Sequence, residues 1–564
     1  MKSLITLCMA CLLFANTNAQ KVTPPPTRME LPPDSVVIET EEGQTIETKD
    51  EQLELPDVVV FGQDRIIRQA GDKAMTQPQK PSLLTPTAAY DPVIIWFDEQ
   101  TEKPTFDHDL NNLLRSGWVQ TQGGSFSTLL IDAGYWQRLQ KGNFRLHGWL
   151  DRSKGEFNNS QHNLGGASAR ISYELAPKVT GTMGGHFTSI SRGLHGAIPD
   201  DFERSGTKGS FHTELIYDVN RLSDGQLGFE IGGMSLQSDT SKVRFDKTSD
   251  FWYHLHGSYT LYWQRSQWTL GGSFLSESIE TDIDSASIKN TLGEIQLEGL
   301  FPLSNKLTVA AGVKYQTNKP DTTSKIDRIA PFARMNIMPS NNIGITLSAQ
   351  SGLDYTSFPG WWQENPYVTH QIPLRPMDVD VAAKIKSDLR LTTALELSFG
   401  LERKWISRMY YWQRIAQNGL FDLRPLDKVQ LTEIMAGFNI DINPRTQLEA
   451  SIIGYSDRVE LDGPALSDRL PYRPTFRIPI RVTLQLIEGL VLRVNGDVYG
   501  KRPSSLASES RLPSFGLINA SLSKDFSRIS AIVSVYNIFD SDYVMWENYQ
   551  EEGVTVLGGL SAKF

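Results

Sequence analysis

His254 and His256 stand two residues apart in "FWYHLHGSYTLYW", and in an extended chain two imidazoles at that spacing lie on one side, where they could begin a metal site. No third ligand follows at a readable spacing, so the pair reads first as two polar side chains of a strand, and no metal or other cofactor is expected. A second concentration is aromatic. The stretch "DYTSFPGWWQENPYVTH" carries Tyr355, Phe358, Trp361, Trp362 and Tyr367, ahead of His370, a set of rings that could form a platform for a sugar or another ligand. In "RMYYWQR", Tyr410, Tyr411 and Trp412 read more readily as ring anchors at a membrane interface. Acids, bases and a histidine also meet in "RSKGE" and "GLHGAIPDD". No nucleophile is set beside a base in either, and an enzyme is not expected.

The elements that position these residues repeat with period two. In "LVLRVNGDVYGK", Leu490, Leu492, Val494, Gly496 and Val498 alternate with Val491, Arg493, Asn495, Asp497 and Tyr499. The stretches "EIMAGFNIDIN" and "FWYHLHGSYTLYW" behave alike, which makes them strands. Short connections such as "LQKG", "LAPK", "QRSQ", "NPRT" and "KDFS" alternate with long ones such as "SRGLHGAIPDDFERSGTKG" and "RMYYWQRIAQNGLFDLRPLDK". A soluble sandwich has no reason to sort its connections by length, whereas an outer-membrane barrel has short periplasmic turns and long outer loops. Ten short turns, with both chain ends on their side, imply an all-β transmembrane antiparallel barrel of about 22 strands over residues 115–564, with 18–20 strands open to the same pattern.

Composition agrees with this reading. The 564 residues are 39% hydrophobic and 10% aromatic, and after the first twenty no run is apolar enough for a spanning helix. Net charge is −10, and no basic tract is present, so a nucleic acid is not an expected partner. Lys2, the apolar run "LITLCMACLLFA" and small Ala19 read as a secretory signal over 1–19. Both cysteines, Cys8 and Cys11, fall within it, which removes disulfides and thiol metal sites from the rest of the chain. Residues 20–57 are acidic and Pro-rich, a solvated leader.

The chain's ends carry a family likeness. "VSVYNIFDSDYVMWENY", with Asn537, Phe539, Asp540 and Tyr543, resembles the penultimate hairpin of TonB-dependent receptor barrels, and "GGLSAKF" resembles their last strand. "WVQTQGGSFSTLLIDAGYWQRLQKGNFRLHGWLDRSKGEF" is similar to their first three strands. The resemblance implies an outer-membrane barrel that binds or passes a solute, with the lipid bilayer and the barrel assembly machinery as partners. It also implies that the terminal aromatic, Phe564, serves as an assembly signal.

Receptors of this family carry a plug domain of well over a hundred residues, and no full plug is recognisable here. The short segment 58–114 is expected to serve as a reduced plug or lumen-filling piece, and within "LPDVVVFGQ" the residues Val58, Val59, Val60, Phe61 and Gly62 resemble the segment associated with contact to the TonB energy transducer. A barrel of this size without a plug would be a wide hole. Its filling could be this segment, inward-folded loops or a partner protein. The last alternative would make the barrel a scaffold or a secretion or assembly component.

Overall fold

Strands that alternate apolar and polar residues need two environments, and the computed structural model of the chain supplies them by closing the sheet on itself. The structure describes residues 37–39, 45–47 and 115–564, except 221–222, 240–243, 283–285, 322–323, 370–371, 373–374, 461–466 and 508. Val37–Glu39 and Thr45–Glu47 pair as a small antiparallel hairpin. The stretch 58–62 and the rest of 58–114 lie outside the described residues.

From Arg115–Gly124 to Thr555–Lys563 run 22 barrel strands, each antiparallel to its neighbours, and the last pairs with the first. The expected count is borne out, and all ten short turns fall where the sequence places them, for example between Leu139 and Gly142 and between Trp263 and Ser266. Several turn tightly through a left-handed residue, among them Lys178 and Ser527 (φ 70°) and Gly489 (φ 68°). No helix among the described residues is long and apolar enough to cross a membrane.

Strand sidedness follows the alternation. In Arg244–Trp263, Phe251, Leu255, Tyr259, Leu261 and Trp263 face outward and exposed, while Trp252 and Thr260 are buried inside. Leu146, Phe187, Phe211, Leu270, Ile295, Phe399, Ile434, Ile452 and Val533 continue this exposed apolar surface on other strands. Such a belt has no place in water and suits acyl chains.

The wall is uneven in height. Crossing a bilayer takes roughly 9–11 residues per strand. Phe421–Asn443 has 23 residues and Leu395–Arg414 has 20, whereas Arg115–Gly124, Ile529–Tyr536 and Thr555–Lys563 beside the seam have 10, 8 and 9. The tall side therefore rises well above the membrane, and side chains near its rim can turn inward without meeting lipid.

At the seam, Leu557–Lys563 pairs with Gly124–Trp118. Phe564 extends the joint: its N–H donates to the Gly117 carbonyl (2.9 Å) and its carbonyl accepts from the Gly117 N–H (2.8 Å). The phenyl ring lies across Gly117, where an added Cβ would come within 2.4 Å of it. Trp118 covers Gly134 on the next strand in the same way.

Candidate functional site

The long loops do not stand up from the rim. Loop 194–202, between the fifth and sixth strands, meets loop 415–420, between the fifteenth and sixteenth, almost half way round the ring. The Ile198 N–H donates to the Asn418 carbonyl (2.9 Å), and His195 Nε2 lies 2.9 Å from the Gln550 carbonyl of a third loop. At the meeting point the backbones nearly touch. A Cβ on Gly419 would stand 2.6 Å from the Gly196 carbonyl oxygen, and one on Gly196 would stand 2.5 Å from that of Asn548. Gly419 also has φ +74°, which other residues adopt only with strain.

Around this point the loops share one apolar core, a cap across the mouth. Leu194, Phe202, Phe358, Trp361, Tyr367, Phe421, Tyr472 and Tyr549 are all buried in it. Tyr367 stacks on Tyr549 at 3.6 Å, and Phe421 packs edge-on to Tyr472 and Trp546. Burying an aromatic or large aliphatic side chain contributes roughly 1.5–3 kcal/mol, which explains why so apolar a set of loops turns inward.

The five rings read from the sequence as a platform are accordingly not laid out on the surface. Phe358, Trp361 and Tyr367 are buried, and Tyr355 and Trp362 pack half-buried against them. The reason is local: Ser357 caps a short helix, Phe358–Glu364, with Pro359 in its first turn, and the helix turns its rings into the mouth. Tyr410 and Trp412 also differ from the interface anchors expected. They occupy inward positions near the top of the tall wall and are buried in the cap, with Tyr411 between them on the opposite face.

Two charged side chains on the wall hold the helix loop down. Arg204 is buried; its Nη1 donates to the carbonyls of Pro366 (2.7 Å) and Val368 (2.8 Å), and its Nε donates to Ser238 Oγ (3.1 Å). The Glu277 carboxylate accepts from the Tyr355 hydroxyl and from the Phe358 N–H (2.7 Å). Val368 then lies alongside Phe421, with Thr369 N–H donating to the Phe421 carbonyl and Phe421 N–H to that of Tyr367. Nothing in the spacing of Arg204 or Glu277 marks them in the sequence, because the loop groups they hold are more than seventy residues away.

Below the cap the lumen wall is polar. A cavity of about 330 Å³ near the seam is lined by His162, Arg192, Tyr367, Arg477, Asp497 and Glu551, among others. Arg477 forks onto Asp497 (2.8 and 3.2 Å), and His162 lies 3.1 Å from Asp151. Burial pushes the Glu551 carboxyl up to about 7, against the pull of Arg192. On the tall side a second cavity, of about 500 Å³, is bordered by His186, Lys208, Glu230, His254 and His256. His254 and His256 do project to the lumen, their ring centres 5.1 Å apart. Among the described residues no three His, Cys, Asp or Glu side chains are grouped to hold a metal ion.

The "NIFD" segment has a structural task. Asn537 is buried with φ 49°, and its side chain donates to the carbonyls of Ser541 (3.0 Å) and Glu552 (3.3 Å) while accepting from the Ser541 N–H (3.0 Å). Asp540 accepts from the Val554 N–H (2.9 Å), which leads the chain into the last strand. Asn537→Ala should destabilise this hairpin by about 2 kcal/mol. The measurement is limited proteolysis of the intact barrel, in which cleavage within 537–554 should speed up at least tenfold; an unchanged cutting rate would remove this role from Asn537.

No protein-family model and no curated protein matches the chain. Solved structures do. The ferric-catecholate import receptor Fiu from E. coli K12 aligns over 80% of this chain and 81% of its own, with 11% identity and a TM-score of 0.64. The siderophore receptor PiuA from Acinetobacter baumannii aligns over 80% and 82%, with 10% identity and a TM-score of 0.64. For the FrpB iron transporter from Neisseria meningitidis the figures are 81%, 82%, 8% and 0.66. At such identities the likeness speaks for fold alone. In fold, the chain is a closed 22-stranded antiparallel β-barrel similar to those of these import receptors, in line with the resemblance carried by its terminal hairpin and last strand.

Proposed function

We propose that this protein is an outer-membrane uptake barrel that takes a solute at its capped mouth and passes it through the lumen. The observation that carries this reading is the cap. Loops from opposite sides of the rim share one core above polar cavities, an arrangement suited to a gate that opens on binding. The neighbours named for iron and siderophore import support the same class of activity. In this reading residues 1–19 direct export, segment 58–114 occupies the lumen as a reduced plug, and Val58–Gly62 engages a TonB-type transducer for energy.

Deleting Gln20 to Asp107 tests the reading. Cells carrying the deletion should admit large hydrophilic antibiotics that wild-type cells exclude, and the purified variant should conduct in planar bilayers once the cap is loosened. Wild-type impermeability in both assays would reject the lumen-filling role. Recovery of a stoichiometric partner protein from native membranes would move the reading to a scaffold.

A further inference from the structure

The outer face of the tall wall is not apolar throughout. Leu395–Arg414, Phe421–Asn443 and Thr446–Val459 are three consecutive strands of it. Leu401 and Ile434 stand opposite each other on the outside, 43% and 58% exposed, and Phe399 and Ile452 extend the same belt. Above Leu401 and Ile434 the outward residues turn polar. Arg403 faces Thr432, and the next row runs from Trp405 to Gln430 to Arg458, each opposite the one before it. The alternate residues Lys404, Ile406, Val429, Leu431, Asp457 and Val459 are buried on the inside, which fixes the side of this row. Leu395 begins its strand at the short-turn end. From there to Trp405, at about 3.4 Å per residue and a tilt of about 40°, the wall rises about 26 Å, level with the top of an apolar band about 25 Å tall.

Two arginines at this level have no counter-charge. The Arg403 guanidinium lies over the Trp405 ring, 4.9 Å from its centre, and its Nη2 donates to Gln430 Oε1 (3.0 Å). The ring and the amide fix the fork in place and take up one of its five N–H groups. Arg458 stands exposed on the far side of Gln430. Among the described residues neither arginine pairs with a carboxylate. The acids around them are engaged by other cations: Glu460 lies 3.9 Å from Lys428, and Asp380 lies 3.2 Å from Arg328. A cation that faces lipid at the edge of the hydrocarbon is costly without an anion beside it, and the planar guanidinium fork matches a phosphate.

We propose that Arg403, Trp405, Gln430 and Arg458 bind the phosphate of an anionic lipid headgroup, that of a phosphorylated glycolipid of the lipid A type, whose acyl chains lie on the belt below. Charge complementarity names the phosphate, and the position names the lipid. Headgroup and chains would meet the wall at the two depths where cations and apolar side chains stand. The arginines are two strands apart, about 10 Å, a span that their long side chains can close over Gln430 to reach one phosphate. The site lies on the outer face, away from the lumen and the mouth, so its loss would leave the uptake reading standing.

The test titrates diphosphorylated lipid A, its enzymatically dephosphorylated form and phosphatidylcholine into the full-length detergent-purified barrel and counts bound lipids by native mass spectrometry. Lipid A should bind at least about tenfold more tightly than either of the other two. The double variant Arg403→Gln, Arg458→Gln should weaken lipid A by about tenfold or more and leave phosphatidylcholine unchanged, with normal heat-modifiable migration as proof of folding. Arg403→Lys keeps the charge and loses the fork, so its affinity should fall between wild type and the double variant. An excess of inorganic phosphate should leave the lipid in place. Displacement of lipid A by inorganic phosphate would make this a site for a soluble anion and overturn the lipid assignment. Equal retention of lipid A by wild type and the folded double variant, or equal binding of the dephosphorylated form, would overturn the proposal as a whole.

Discussion

Arg204→Ala should release the helix loop from the wall and open one side of the cap. The guanidinium is buried and makes three hydrogen bonds, two of them to the carbonyls of Pro366 and Val368 that have just left the helix. Truncation removes charge-assisted bonds and leaves the buried Val368 carbonyl and the part-buried Pro366 carbonyl without this donor, a local loss on the order of 3–5 kcal/mol. Free energies of that size exceed what holds most loops in place, so the segment 355–376 should become accessible to protease and the fluorescence of Trp361 and Trp412 should shift to longer wavelength. The strand ladder is untouched, so the barrel itself should stay heat-modifiable. Arg204→Lys would keep the charge and reach one carbonyl at best, and should lie between the two. Protease resistance and fluorescence equal to wild type in Arg204→Ala would show that the apolar core alone holds the cap.

Removing Phe564 should lower the amount of assembled barrel severalfold. Two backbone hydrogen bonds to Gly117 disappear with it, and the ring that covers Gly117 goes as well. The same terminal aromatic is the signal that assembly is expected to read, so deletion alone does not separate recognition from closure. Gly117→Val does. Its side chain would stand where the Phe564 ring lies, within 2.4 Å, so the ring must leave while the terminal residue remains for recognition. If closure matters, Gly117→Val should reduce heat-modifiable barrel nearly as much as the deletion. If only recognition matters, Gly117→Val should assemble normally. Normal barrel levels in both variants would remove Phe564 from assembly altogether.

The barrel was legible because the bilayer leaves the chain few choices. Outward positions must be apolar, turns must be short on one side, and these constraints write themselves as a period of two and as alternating connection lengths. The mouth obeys no such rule. Tyr410 and Trp412 continue the strand alternation beyond the membrane, where an inward ring and an interface ring have the same spacing, and only the height of Leu395–Arg414 tells them apart. Trp361 and Tyr549 meet partners from distant loops, as do Arg204 and Glu277, and contacts at that separation have no local period to betray them.

The seam has a mechanical side. Gly558 faces Gly123 across it, Leu557 faces Gly124, and Gly559 comes so close to its neighbour that a Cβ there would lie 2.0 Å from the Thr121 carbonyl. Along these three pairs the edges meet almost by backbone alone, while Leu560 opposite Thr121, Ser561 opposite Gln120 and Lys563 opposite Trp118 supply side-chain pairs over the rest of the joint. It is also the joint between the first and the last barrel strands, the pairing of greatest sequence separation in the wall, and so the one with the largest loop-closure entropy to meet. The cylinder thus has a built-in fault line. A sheet that must be threaded into a membrane and then shut gains from a stretch of edge with few bulky groups to mesh, because there the two edges can adjust until Phe564 settles over Gly117 and locks the register.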